Sequence, residues 1–229
     1  MNIVREKKGF TLLELLIVIA IIAALSTILV IVINPAETLA QSRDAQRLSD
    51  LSSLKSALSL YLSTVQSPQL DGIAGTRNDA CIDGTFANRR IWLSVPTSAT
   101  TVSDNTPPIT IWQAASAAWQ QPTTIGSSTP INGTGWIPVN FGALTGGSPI
   151  SNLPLDPTNT VTTAGTVTNA DYMYRYACKG TPISFEIDAA LESIQYKTTD
   201  DKRAKDGGDN ASLFEVGTDL SILPGTNDF

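Results

Sequence analysis

The chain has 229 residues, 42% of them apolar, and its 21 acidic and 15 basic side chains give a net charge of −6. This length suits one membrane helix plus one globular domain, and an acidic general surface disfavours contact with the phosphate backbone of nucleic acids. The sequence lacks histidine, the commonest general base, and contains no P-loop, dinucleotide-binding or Gly-x-Ser-x-Gly motif, so we do not expect an enzyme.

The N-terminus joins a basic leader to a long apolar segment. Residues 1–9 form the leader, which carries three basic side chains and one acidic side chain. The 19 residues from Leu15 to Ile33 are uncharged and span about 28 Å as a helix, close to the thickness of a bilayer core. A secretory signal has a shorter apolar region, followed by a cleavage site of small residues. Residues 10–33 are therefore predicted to form a transmembrane helix with its N-terminus in the cytoplasm.

One carboxylate, Glu14, lies within this apolar segment. A charged side chain in a membrane helix costs about 2.5–3.5 kcal/mol on insertion scales. One interpretation is that Glu14 reaches back to the membrane interface. The other is that it pairs with a positive charge created later, since cleavage after Gly9 would free the α-amine of Phe10.

Residues 7–14, with the sequence KKGFTLLE, resemble the type III signal of type IV pilin and type II secretion pseudopilin precursors. The resemblance is tight over about residues 1–62. It implies that a prepilin peptidase cleaves between Gly9 and Phe10 and N-methylates Phe10, and that Glu14 is the assembly carboxylate. It also implies three further partners: the inner membrane, an assembly platform, and other copies of the chain in a helical polymer whose core is formed by the helices of residues 10–33.

The pair Asn34-Pro35 is predicted to break or kink the helix, since proline lacks a backbone donor and clashes with the preceding turn. Residues 34–65 then form an amphipathic helix. Its apolar side chains recur every three or four residues, with charged side chains predicted to lie between them. The apolar set is Leu48, Leu51, Leu54, Leu58, Tyr61 and Leu62, and the charged set is Arg43, Asp44, Arg47, Asp50 and Lys55.

Residues 66–229 are predicted to form a β-rich globular head with loops, which gives the chain an α+β fold. Strands are expected at 91–93, 172–177, 183–188 and 213–216, with an extended segment at 135–141 and a short helix at 111–121. Alternation of apolar and polar residues predicts an antiparallel sheet with one solvated face. The resemblance implies the pilin fold, in which a long N-terminal helix packs on this C-terminal sheet.

The two cysteines, Cys81 and Cys178, are predicted to form a disulfide, because an even number in an exported domain is typical of such pairing. Two buried free thiols and a metal pair are the alternatives, and two cysteines without histidine make a poor zinc site.

An acidic segment near the C-terminus could bind calcium, which requires six to eight oxygen ligands. Asp206, Asp209 and Asn210 surround two glycines, and the resemblance to G-type pseudopilins, which carry a calcium loop near the C-terminus, supports this prediction. The alternative is an ordinary solvated turn. No other cofactor is predicted.

The function expected from these features is that of a structural subunit, similar to a major pilin, of a type IV pilus-type filament. The precursor would lie in the inner membrane, and the filament would be extracellular or periplasmic. The Thr/Ser/Pro-rich stretch at 94–135 favours a surface pilus over the alternative, a G-type pseudopilin of a type II secretion system. A third alternative is an anchored minor or adhesive binding module.

Overall fold

The computed structural model describes residues 9–72, 78, 81, 91–94, 129–160 and 171–223. The leader before Gly9 and the short helix predicted at 111–121 lie outside these ranges. The chain divides into two units, Met1–Ala40 and Gln41–Phe229. We call the second one the C-terminal unit.

Two helices follow one another along the first third of the chain, α1 (Leu12–Ile33) and α2 (Pro35–Thr64). The predicted break lies at Asn34, which adopts a left-handed conformation with φ of 44°. Its side-chain oxygen accepts the N–H of Glu37 at 3.4 Å. Pro35 suits the first position of α2, where a backbone donor is not needed.

The C-terminal unit contains a four-stranded antiparallel sheet in the order β1-β2-β3-β4. The strands are β1 (Trp92–Leu93), β2 (Tyr174–Gly180), β3 (Ile183–Ala190) and β4 (Leu213–Gly217). The long helix followed by an antiparallel sheet confirms the predicted α+β class and is consistent with the pilin fold.

The core of this unit lies between α2 and one face of the sheet. Leu51, Leu54 and Leu58 of the helix are fully buried there. The sheet contributes alternate residues of its three longer strands, as period-two alternation requires; these are Tyr174, Tyr176, Cys178, Phe185, Ile187, Ala189 and Val216. A disulfide joins Cys81 to Cys178 across a sequence separation of 97 residues, in agreement with the sequence prediction.

The prediction of a solvated sheet face is wrong. Arg175, Glu186, Asp188 and Glu215 point away from α2, yet each of them is at most 2% exposed. The C-terminal part of the chain covers this face, and its backbone N–H groups donate to the carboxylates beneath it. Hydrogen bonds to the buried charges therefore replace the water that the alternation pattern had suggested.

The segment at 135–141, which the sequence predicts to be extended, is not one of the four strands of the sheet. It lies outside the sheet and leads into a short 3₁₀ helix at Phe141–Ala143, with an isolated bridge between Asn132 and Asn140. Trp136 and Phe141 are fully buried in the core, so the apolar residues of this segment fill space beside the sheet.

Candidate processing and assembly site

The predicted cleavage junction, Gly9-Phe10, is exposed just before α1. A Cβ atom added at Gly9 would meet nothing within 4 Å, and Phe10 is 88% exposed. The fold of the described chain therefore does not require glycine at position 9. A requirement for glycine there would have to come from an enzyme that acts on the junction.

Glu14 closes the N-terminus of α1 in a capping box with Thr11. Its Oε2 accepts the Thr11 backbone N–H at 2.8 Å and the Thr11 hydroxyl at 2.9 Å. In return, the Thr11 hydroxyl oxygen accepts the Glu14 N–H at 3.2 Å. These bonds satisfy backbone donors that a helix start leaves unpaired. The carboxylate is thus held one residue from the nitrogen that cleavage would expose.

Helix α1 presents an apolar surface on every side. Its segment Leu12–Leu29 is long and apolar enough to cross a membrane, and the described residues bury none of that segment. A helix that is apolar all round requires an apolar environment such as lipid or other helices. The described part of the chain therefore leaves the apolar surface of α1 uncovered.

A buried ionic cluster joins the part of α2 that lies in the C-terminal unit to the chain around residues 156 and 192. We call Asp44, Arg47, Asp156 and Glu192 the Arg47 cluster. The Arg47 guanidinium donates to both oxygens of Asp156 at 2.6 and 2.8 Å and contacts Asp44 at 2.8 Å and Glu192 at 2.5 Å. Asp44 in turn accepts the backbone N–H groups of Glu192 and Ser193.

The charges in the cluster stabilise one another despite their burial. Burial opposes ionisation of Glu192, but hydrogen bonds from Arg43 and Arg47 outweigh it and lower the pKa of Glu192 to about 2. Arg43 makes its ion pair with Glu192 at the partly exposed rim.

The prediction that Asp44 and Arg47 lie among the charges between the apolar side chains of α2 is wrong. Both side chains are fully buried. They continue the stripe of Leu51, Leu54 and Leu58 at spacings of three and four residues. That spacing was the signal that could have identified them, because a charged pair on an apolar stripe must be buried with partners.

Two of the residues predicted to bind calcium, Asp206 and Asn210, accept hydrogen bonds from nearby backbone N–H groups. Asp206 accepts the N–H groups of Gly208 and Glu215, and the side-chain oxygen of Asn210 accepts the N–H of Ser212. Across the described residues, no three His, Cys, Asp or Glu side chains form a group placed to hold a metal ion. Calcium binding at Asp206, Asp209 and Asn210 stays a prediction.

Comparison with known proteins identifies the N-terminal segment. Residues 4–30 match the family model described as the prokaryotic N-terminal methylation motif. No curated protein and no solved structure matches the chain. The motif, followed by an apolar helix, fits a type IV pilin or pseudopilin precursor. It points to a structural subunit that is processed by a prepilin peptidase and joins a pilus-type filament.

Proposed function

We propose that the chain is a filament subunit similar to a major pilin, which a prepilin peptidase cleaves between Gly9 and Phe10 and methylates at Phe10. The observation that carries this proposal is the methylation motif at residues 4–30, on a helix whose apolar surface the described residues leave uncovered. Lipid would cover α1 in the membrane-anchored precursor, and α1 helices of other copies would cover it in the filament.

Glu14 is proposed as the assembly carboxylate. In the precursor, the Phe10 nitrogen is an uncharged amide, and Glu14 caps the helix through Thr11. Cleavage would turn that nitrogen into a positively charged amine. A carboxylate already placed at this helix start could then pair with the amine of its own chain or of a neighbouring copy, and the pair would remove the cost of leaving Glu14 unpaired among apolar helices.

The capping box offers a way to separate the charge of Glu14 from its capping role. Glutamine at the third helical position can still cap, since the motif accepts either Glu or Gln there. In a producing strain, we expect both Glu14→Ala and Glu14→Gln to be exported and cleaved but to form few filaments. Filament yield by electron microscopy and cleavage by immunoblot are the readouts. Wild-type filament yield from Glu14→Gln would contradict the charge-pairing role.

Processing is tested at the junction itself. Gly9→Val should accumulate as uncut precursor, and the open space around Gly9 means that a folding defect would not explain this result. Cleavage of Gly9→Val at the wild-type rate would contradict the proposed junction.

The same strain distinguishes a pilus from a pseudopilus. Long surface filaments that contain this chain would support the pilus. Their absence, together with impaired secretion on deletion, would favour a type II secretion pseudopilin, and their absence with normal secretion would favour an anchored minor or adhesive module.

A further inference from the structure

Two segments of the chain match the pattern Asn-x-Ser/Thr, which marks acceptors of N-linked sugars in exported proteins. They are residues 132–134, with the sequence NGT, and residues 210–212, with the sequence NAS. The pattern alone does not distinguish the two segments. The structure does, because it gives the two asparagine side chains different exposure, hydrogen-bond partners and neighbours.

The first segment lies on a surface loop with fixed ends. Asn132 and Thr134 are both exposed. At the base of the loop, the Phe141 N–H donates to the Ile131 carbonyl at 2.8 Å, and Phe141 is fully buried in the core. Between the asparagine and the threonine, Gly133 has a φ of 91°, a left-handed conformation that favours glycine. An enzyme can therefore approach the asparagine and the threonine together.

The Thr134 hydroxyl contacts the side-chain amide of Asn132. It donates to Asn132 Oδ1 at 2.7 Å, and the Thr134 backbone N–H donates to the same oxygen at 3.2 Å. Both bonds draw electron density toward Oδ1, which makes the protons on Nδ2 easier to remove, and neither bond occupies Nδ2. The hydroxyl that the pattern requires at its third position thus contacts the group that would be modified.

Asn210 lies in a different environment. It is only 4% exposed, and its backbone N–H donates to the buried carboxylate of Glu215 at 3.0 Å. Its Oδ1 accepts the Ser212 backbone N–H at 2.9 Å. A transferase cannot reach a side chain buried to this extent in the folded chain. Asn210 therefore provides an internal control for Asn132.

The charge around the two asparagines also differs. Residues 105–155 contain no charged side chain, whereas acids occur at positions 206, 209 and 215 around Asn210. A sugar donor that is activated by pyrophosphate carries negative charge. Acidic side chains repel such a donor, and the uncharged segment around Asn132 does not.

We propose that Asn132 is a glycosylation site, and that the donor is an oligosaccharide joined to a membrane lipid through pyrophosphate. In the transfer, Asn132 Nδ2 forms a bond to the anomeric carbon of the sugar while the bond from that carbon to the pyrophosphate oxygen breaks. The lipid pyrophosphate leaves with the electron pair, and Nδ2 loses one proton. The attached glycan would hydrate an uncharged part of the surface.

This proposal requires export of the C-terminal unit, which the proposed function also requires, but it does not require filament formation. Filaments whose subunits carry a bare Asn132 would overturn the glycosylation site and leave the proposed function standing. A glycan on Asn132 in a chain that forms no filaments would support the site and count against the function.

The test uses the full chain, purified from membranes of the organism that produces it. Chymotrypsin cleaves after aromatic residues, so Asn132 lies in a peptide that ends at Trp136 and Asn210 in one that ends at Phe214. Tandem mass spectrometry that keeps sugars attached should place a glycan on Asn132 and none on Asn210. An unmodified Asn132, including one in a peptide whose sugar is attached to a serine or threonine, would overturn the proposal.

Three variants relate the modification to the contact between Asn132 and Thr134. Thr134→Val keeps the side-chain shape and the backbone N–H but removes the hydroxyl, so it should abolish the glycan. Thr134→Ser keeps a hydroxyl and should retain the glycan. The matched control Ser212→Ala removes the second pattern and should leave the glycan in place. A glycan that persists in Thr134→Val, or one that is lost in Ser212→Ala, would contradict the proposed site.

Discussion

Removal of the Arg47 guanidinium should destabilise the C-terminal unit far more than removal of the neighbouring Arg43 guanidinium. Arg47 is fully buried and compensates three acidic side chains. Arg47→Ala would leave those carboxylates buried without their common partner. Breaking a buried ionic network in this way costs about 3–5 kcal/mol, a large share of the roughly 5–15 kcal/mol by which most domains are stable.

Arg43 is the matched control because it is also an arginine on α2 that bonds Glu192. Its side chain is 36% exposed, so after Arg43→Ala water can solvate the Glu192 carboxylate at this partly exposed rim. Exposed ion pairs contribute about 0–1 kcal/mol, and we expect Arg43→Ala to lie within that range.

The assay is urea unfolding of the full chain in detergent micelles, followed by the fluorescence of the buried Trp92 and Trp136. Lowering the pH should reduce the difference in free energy of unfolding between Arg47→Ala and the wild type. The reason is that the unpaired carboxylates of the variant become neutral when they bind protons. Equal losses for Arg47→Ala and Arg43→Ala, or a gap that is independent of pH, would refute the assignment of Arg47 as the central cation.

Two further predictions concern the same unit. Replacing Cys81 and Cys178 together with serine should cost about 4–5 kcal/mol in the chain-entropy model, given the 97-residue separation, and a loss below about 1 kcal/mol in urea unfolding would contradict it. In the folded state the pKa of Glu192 is about 2, against an ordinary value of 4.5. Its contribution to the free energy of unfolding, on the order of 2–3 kcal/mol, is therefore present above about pH 4.5 and lost as the pH falls toward 2. Glu192→Gln should weaken this loss of stability in acid, and an acid unfolding profile identical to that of the wild type would argue against the prediction.

The features that the sequence predicted correctly depend on neighbouring residues. The helix break at Asn34-Pro35 follows from the geometry of proline and a left-handed residue. Strands β2 and β3 follow from strict alternation over adjacent positions. The prediction of the disulfide required only an even number of cysteines in an exported domain.

The features that the sequence missed depend on residues far apart along the chain. Arg47 hydrogen-bonds Asp156, which is 109 residues away in the sequence, and Arg43 hydrogen-bonds Glu192, which is 149 residues away. The polar face of the sheet is covered by a segment whose backbone, rather than its side chains, meets Glu186. A pattern of polar and apolar residues cannot distinguish a carboxylate facing water from one facing backbone N–H groups.

The Arg47 cluster can define a single position of α2 on the sheet, which the leucines of α2 cannot do alone. Leu51, Leu54 and Leu58 repeat every three or four residues, so a helix displaced by one turn would still bury leucines, since apolar burial is not directional. The same displacement would separate Arg47 from Asp156 and leave buried charges unpaired. Our hypothesis is that the cluster sets the position of α2 on the sheet.

One variant, Arg47→Met, can distinguish the effect of the cluster on the position of α2 from its effect on the free energy of unfolding. Methionine restores most of the apolar volume, and acid neutralises the carboxylates, so the free energy of unfolding should recover partly at low pH. The unique position of the helix should not recover, because nothing directional then fixes it. We expect duplicated or broadened amide resonances for α2 in the NMR spectrum of Arg47→Met, and a single sharp set at every pH would show that the leucines alone position the helix.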